Sequence, residues 1–134
     1  MKAHISFATA HFEQSVSFYA TLLRVAPVKE FDDYALFLTE DPGLELALHR
    51  AGSVDPDGDA HYGISVASVA EVERAIARLH GADIPTSVER EATCCYANQT
   101  KVWAVDPDGR RWEVYTVHEE IEAPSRACCS DDAA

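Results

Sequence analysis

Three side chains of metal-binding type stand in related places along the 134-residue sequence. His4 and His61 each lie near the start of a strand-like segment, and Glu113 lies in another such segment near the end. Two imidazoles and one carboxylate form the facial triad that suits Fe(II) and leaves coordination positions free. Because Mn, Ni or Zn accept the same donors, the residue types predict one divalent-metal site without fixing the metal.

The four cysteines form two adjacent pairs, Cys94-Cys95 and Cys128-Cys129. In a reducing compartment thiols serve as ligands or reactive groups more often than as disulfides. Neighbouring residues of a regular strand point to opposite faces, so two thiols at 94 and 95 bind one ligand only if residues 93–99 form a loop. The alternative is a pair of small, half-buried apolar side chains. Cys128 and Cys129 lie in a polar segment, and we expect no essential catalytic role for them.

The composition restricts the class of partner. Eleven basic and 23 acidic side chains give a net charge of −12, which disfavours nucleic acid and anionic membrane surfaces. No segment approaches the roughly 20 apolar residues of a membrane helix, and the first residues lack the apolar run of a secretory signal. We therefore expect a cytoplasmic protein without nucleic-acid or membrane partners.

Hydrophobic periodicity predicts the order β-α-β-β-β twice. A strand at Lys2–Ala8 precedes a helix from His11 to Arg24, for which Thr9 is a candidate cap, and three short extended segments follow. The order repeats from His61, where a capping-box sequence at Ser68 opens the second helix. We predict an α+β fold with one domain over residues 1–118, in two modules of about 1–50 and 60–118, and a mobile acidic tail at 119–134.

The repeat strengthens the metal prediction. Taken singly, each histidine would more often be an unrelated, partly buried side chain and Glu113 a surface carboxylate. His4 and His61 occupy equivalent places in the two modules, so pseudo-symmetric packing would bring them together. In the last strand Trp112 and Val114 suit the helix-covered face, which leaves Glu113 on the open face with the histidines.

A fourth ligand is left open. Glu45 has the strand parity to face the metal, and its participation would give a donor set of two histidines and two glutamates. The turn spacing argues mildly against it. Glu113 follows Gly109 by four positions, whereas Ala47 is the residue that follows Gly43 by four.

Several motifs carry a resemblance to a known superfamily. The paired modules, Phe18-Tyr19 in the first helix and the run DPDGRRWE at Asp106–Glu113 resemble the vicinal oxygen chelate superfamily over about residues 1–118. That superfamily includes glyoxalase I, type I extradiol dioxygenases and bleomycin-resistance proteins. The resemblance implies paired βαβββ modules whose curved mixed sheet surrounds a metal site.

A narrower resemblance rests on the segment Thr93–Ala97, read TCCYA, together with the three metal-binding side chains. It is similar to ArsI-type carbon–arsenic lyases and to the cadmium-induced protein CadI. This likeness implies a non-haem Fe(II) enzyme, in which Ni, Co or Mn can substitute, that consumes dioxygen and converts methylarsenite or reduced aromatic arsenicals to arsenite. Cys94 and Cys95 match the arsenic-binding pair, and His4, His61 and Glu113 match the iron ligands.

Two other classes of function stay open. A glyoxalase-like isomerase or another ring-cleaving dioxygenase would use the same triad without arsenic. A non-catalytic thiol protein would sequester cadmium or arsenic. The sequence also leaves open a homodimer and the identity of the preferred organoarsenical.

Overall fold

The computed structural model describes the backbone of residues 1–55, 59–94 and 97–120, and the side chains of these residues except 91–94, 97, 119 and 120. Within that part the chain forms two four-stranded sheets, each accompanied by one helix. The predicted α+β fold of paired βαβββ modules is confirmed.

The elements of the first module are β1 (Ala3–Thr9), α1 (Phe12–Leu23), β2 (Lys29–Glu30), β3 (Tyr34–Glu40) and β4 (Gly43–Arg50). They form a mixed sheet in the order β1-β4-β3-β2, in which β1 and β4 are parallel and the other neighbours antiparallel. Helix α1 returns the chain so that β2 runs in the direction of β1, and two reversals through β3 leave β4 parallel to β1.

The elements of the second module are β5 (His61–Ser65), α2 (Val69–Gly81), β6 (Thr86–Cys94), β7 (Ala97–Val105) and β8 (Arg111–Glu120). They repeat the arrangement in the order β5-β8-β7-β6, with β5 and β8 parallel. Strand β8 runs two residues into the predicted tail at 119–134, and the rest of that tail lies outside the described residues.

The two helices begin differently. Ser68 caps α2 as predicted, because its hydroxyl accepts the Glu71 N–H at 3.3 Å while the Glu71 carboxylate accepts the Ala67 N–H at 2.9 Å. The prediction of Thr9 as cap of α1 is wrong. Thr9 is the last residue of β1, His11 stands at the cap position without a side-chain cap, and the Thr9 hydroxyl accepts the His11 N–H.

Within residues 93–99, which must form a loop if both thiols bind one ligand, positions 93–94 and 97–99 lie in strands. Strand β6 ends at Cys94 and β7 begins at Ala97, and these two residues are register partners in an antiparallel hairpin. This pairing could not be recognised from the sequence, because the polar residues of β6 do not alternate and its register shifts between Glu89 and Ala92. Cys95 and the side chain of Cys94 lie outside the described residues.

A buried polar network joins the two modules. The Asp106 carboxylate, 3% exposed as a residue, accepts the Tyr19 hydroxyl of α1 at 2.6 Å and the Arg110 backbone N–H at 2.8 Å. The Tyr19 hydroxyl in turn accepts the Trp112 indole N–H at 3.0 Å, and the Arg110 guanidinium donates to the Ala8 carbonyl at 2.8 Å. The turn before β8 is therefore bonded to both β1 and α1.

Apolar packing surrounds this network. The helix-facing residues of both sheets and both helices form one continuous core, in which Phe7 and Tyr62 meet edge to face at 5.3 Å between ring centroids. Neither described helix is long and apolar enough to span a membrane. The faces of the two sheets turned away from the helices carry the candidate functional residues.

Candidate metal centre

His61 and Glu113 meet on the open face of the second sheet. The imidazole Nε2 of His61 lies 3.1 Å from Oε2 of Glu113. Register explains the contact, because β5 pairs with β8 so that Gly63 stands opposite Glu113 and His61 is its diagonal neighbour, within reach of a long side chain. Trp112 and Val114 are buried on the helix side, as predicted.

Gly63 gives the Glu113 side chain room to cross β5. A Cβ atom at this position would lie 3.2 Å from Glu113 Cγ and 3.2 Å from Tyr115 Cε1, which is tighter than ordinary van der Waals contact. The glycine therefore permits the carboxylate to lie over the strand and reach His61. This residue was not among the predicted site residues.

Lys101 is a second residue that the sequence did not identify. Its ammonium lies 2.9 Å from Oε1 of Glu113, and the two side chains are only 15% and 11% exposed. The same ammonium stands 5.6 Å from the ring centroid of Trp103 and 5.9 Å from that of Tyr115. Glu113 is thus held by an imidazole on one carboxylate oxygen and an ammonium on the other.

Trp103 forms one wall of this centre. Its ring meets the His61 ring edge to face, with 5.3 Å between centroids, and its indole N–H donates to Glu89 at 2.9 Å. The guanidinium of Arg111 lies 5.7 Å from its centroid. These contacts fix the orientation of Trp103 beside the His61 imidazole, so the residue belongs to the site and not to the core.

His4 lies on the open face of the first sheet and has a different carboxylate partner. Its Nδ1 lies 3.3 Å from Oε1 of Glu45, which stands directly opposite it in the β1–β4 register. Both side chains are about half exposed, at 58% and 44%. Each open face therefore carries one histidine–glutamate pair.

The two pairs are not equivalent in register. Ser6 follows His4 by two positions and stands opposite Ala47, whereas Gly63 follows His61 by two positions and stands opposite Glu113. Ala47 therefore occupies the position that matches Glu113, in agreement with the turn spacing of the sequence.

The donor set fits a divalent ion in part. An imidazole nitrogen and a carboxylate oxygen face each other at His61 and Glu113, and both are ligands that Fe, Mn, Ni and Zn accept. Among the side chains that the structure describes, no three of His, Cys, Asp or Glu type within a single chain form a group that could hold a metal. The structure brings together two of the three predicted ligands and leaves His4 apart.

The remaining described histidines that show ring-nitrogen contacts have local partners. His49 hydrogen-bonds the Ser6 hydroxyl, His80 the Thr86 hydroxyl at 2.7 Å, and His118 the Thr100 hydroxyl at 2.6 Å. These contacts account for their positions without a metal.

Of the two predicted arsenic ligands, the structure describes only the Cys94 backbone. Cys94 is the last residue of β6, and β6 and β7 form the outer hairpin of the sheet that carries Glu113. Cys95, Cys128 and Cys129 lie outside the described residues, so the pairing of the two thiols stays a prediction.

The fold and the His61–Glu113 pair can now be compared with those of known proteins. The sequence profile of the Glyoxalase/Bleomycin resistance protein/Dioxygenase superfamily matches residues 3–114, and the chain belongs to that superfamily. The resemblance seen in the sequence is thereby confirmed.

Two relatives narrow the comparison. The chain is 37% identical to the trivalent organoarsenical cleaving enzyme of Bacillus sp. (strain MD1), over 96% of this chain and 83% of the relative. It is 40% identical to the cadmium-induced protein CadI of Mycobacterium tuberculosis, over 82% of this chain and 72% of the relative.

A solved structure supports the fold. The crystal structure of a glyoxalase/bleomycin resistance protein/dioxygenase from Alicyclobacillus acidocaldarius superposes with a TM-score of 0.69, covering 89% of this chain and 92% of the other. Sequence identity is 16%, so this likeness concerns the architecture alone.

Proposed function

We propose that this protein is a non-haem Fe(II)-dependent lyase that consumes dioxygen and cleaves the carbon–arsenic bond of trivalent organoarsenicals, releasing arsenite. The likeness to the organoarsenical-cleaving enzyme along nearly the whole chain carries the proposal. The His61–Glu113 pair supports it, because it supplies two donors of the required kind on an open sheet face. Methylarsenite and reduced aromatic arsenicals are the proposed substrates.

In this proposal His61 and Glu113 hold the metal together with His4. Fe(II) bound there would supply dioxygen activation and Lewis acidity, and Ni, Co or Mn could occupy the same donors. The walls formed by Trp103 and Lys101 hold His61 and Glu113 in fixed orientations, since both ligands contact them directly. Such outer contacts set the ligands before the metal arrives.

Cys94 and Cys95 are the proposed arsenic ligands. Trivalent arsenic is soft and thiophilic, and a monoalkyl species has two exchangeable positions, so it binds two thiolates. Cys94 ends a strand of the sheet that carries Glu113, so the proposed thiol pair belongs to the same module as His61 and Glu113. A substrate that the thiols hold beside the metal would gain rate through proximity and orientation.

The position of His4 suggests that the complete site needs two chains. His4 and Glu45 are half exposed on one open face, and His61 is half exposed on the other. We propose a homodimer in which the first module of one copy faces the second module of its partner, so that His4 completes the triad across the interface. The half-exposed side chains of His4, Glu45 and His61 would then be covered.

The activity is tested by an anaerobic preparation. The protein is loaded with Fe(II), methylarsenite is added, air is admitted, and arsenite is measured by chromatography with arsenic-specific detection. We expect arsenite in stoichiometric excess over enzyme, and its loss in Glu113→Ala and Cys95→Ala. A Cys128→Ala, Cys129→Ala double variant is the matched thiol control and should retain the activity.

Other outcomes favour the alternative functions. Tight binding of one arsenical per chain without arsenite would favour a sequestering protein. Conversion of a thiohemiacetal with Ni, unaffected by Cys95→Ala, would favour a glyoxalase-like isomerase. Either result, obtained without arsenite formation, would refute carbon–arsenic cleavage.

The shared site is tested by complementation. Co-expression of His4→Ala chains with Glu113→Ala chains should restore about a quarter of the wild-type activity, because half of the dimers are mixed and each has one intact site of two. Pairing Glu113→Ala with His61→Ala is the control. Both substitutions then lie in the same half of the site, and we expect no restored activity. If the site were built within one chain, co-expression of His4→Ala with Glu113→Ala chains would also restore no activity.

A further inference from the structure

The two oxygens of the Glu113 carboxylate have different partners. Oε2 faces the His61 imidazole at 3.1 Å, and Oε1 accepts a hydrogen bond from the Lys101 ammonium at 2.9 Å. Glu113 is a buried residue, 8% exposed, so water does not compete freely for either oxygen. The side chain is thereby oriented with one oxygen committed to Lys101 and the other directed to the metal-binding imidazole.

A carboxylate ligand can bind a metal through one oxygen or through both. The choice changes the number of coordination positions left for other ligands. We propose that Lys101 is a positioning residue that holds Glu113 as a one-oxygen ligand, so that one further position at the metal stays open to substrate or dioxygen. The inference rests on the proposed metal site and concerns how that site is kept open.

The surroundings of Lys101 favour its staying in place when a metal binds. Its ammonium lies within 6 Å of the ring centroids of both Trp103 (5.6 Å) and Tyr115 (5.9 Å), where the ring quadrupoles attract a cation. Its side chain is 85% covered, and it stands directly opposite Tyr115 in the β7–β8 register. The hydrogen bond to Oε1 and the aromatic contacts are therefore made from the same position.

In the rival interpretation Lys101 is only a counterion of Glu113. Lys101 would neutralise Glu113 only in the metal-free protein and would be displaced when a divalent cation arrives. The two interpretations differ in the metal-bound state. A positioning residue still donates a hydrogen bond to Oε1 when the metal is bound. A displaced counterion does not, and its substitution leaves the metal coordination unchanged.

Cobalt(II) reports this difference without any turnover. Its visible bands weaken as the coordination number rises, so a second oxygen from Glu113 lowers their intensity. In Lys101→Met we expect weaker, shifted bands at full cobalt occupancy. In Lys101→Arg, which keeps a donor for Oε1, we expect a spectrum close to that of the wild type. Lys29→Met, on the short outer strand of the other module, is the control and should leave the spectrum unchanged.

The outcomes separate this inference from the proposed function. Wild-type protein that takes up no cobalt refutes the metal site and the inference with it. Wild-type protein that binds cobalt, with an identical spectrum in Lys101→Met, refutes the role of Lys101 alone. Lys101→Gln, which is closer in length, provides a second variant, and far-ultraviolet circular dichroism identifies any variant that has lost its fold.

Discussion

The polar network between the modules makes a quantitative prediction about Tyr19→Phe. Tyr19 is fully buried, donates to the Asp106 carboxylate at 2.6 Å and accepts the Trp112 N–H at 3.0 Å. Loss of a hydrogen bond to a charged group removes roughly 1.5–3 kcal/mol, and a buried donor left without a partner costs about 1–3 kcal/mol. Since Asp106 keeps its bonds to Arg110, we expect a loss of about 3 kcal/mol, or roughly 10 °C in melting temperature.

Urea and thermal unfolding followed by circular dichroism measure this loss. Tyr34→Phe is the matched control, because Tyr34 lies half-buried on β3 and does not enter the network. The control should stay within about 0.5 kcal/mol of the wild type. A loss below about 1 kcal/mol in Tyr19→Phe would show that the network contributes little to the junction.

The same variant has a pH signature. Burial raises the pKa of the Tyr19 hydroxyl well above its ordinary value, and the neighbouring Asp106 carboxylate raises it further. The folded protein therefore keeps a proton that the unfolded chain releases above about pH 10, so this contribution to stability is complete below pH 10 and declines above it. The difference between wild type and Tyr19→Phe should narrow by about 1.4 kcal/mol at pH 11, and a constant difference would contradict the assignment.

Two further substitutions test the site and the surface. Gly63→Ala should weaken cobalt binding by about tenfold and destabilise by about 1 kcal/mol, since the Cβ presses on a Glu113 side chain fixed at both oxygens. Gly52→Ala, where an added Cβ meets nothing within 4 Å, should change neither quantity. The exposed Arg90–Glu73 pair lowers the pKa of Glu73 through a hydrogen bond, so Arg90→Gln should lower the melting temperature slightly in dilute buffer and not in about 1 M salt, where the pair is screened. Equal effects at both ionic strengths would contradict an electrostatic origin.

Strand parity and the internal repeat were sufficient to predict that Glu113 and His61 share an open face. The carboxylate has to point away from the core because Trp112 and Val114 point into it, and no tertiary information is needed for that step. The expected equivalence of His4 and His61 was not sufficient to bring them together. A repeat fixes where each histidine lies in its own sheet, but the relative placement of two sheets depends on contacts distant in sequence.

Lys101 and Gly63 could not be identified as site residues for a related reason. Each acquires its role from register, since Gly63 stands opposite Glu113, and Lys101 lies opposite Tyr115 beside it. A single lysine in a strand is compatible with any surface position. The hairpin at Cys94 was missed because polar residues fall on both faces of β6, where the pairing shifts between Glu89 and Ala92.

The Asp106–Glu113 run contains residues with two different roles. Asp106, Arg110 and Trp112 fasten one half of the molecule to the other, while Glu113, immediately next in sequence, faces outward beside His61. Neighbouring residues of β8 thus serve either the junction between the modules or the open face of the sheet. Substitutions on the outer face can therefore change the candidate metal site without removing the contacts of the junction. The run therefore indicates the fold of a chain that carries it. The reaction has to be inferred from the residues on the open face of the sheet.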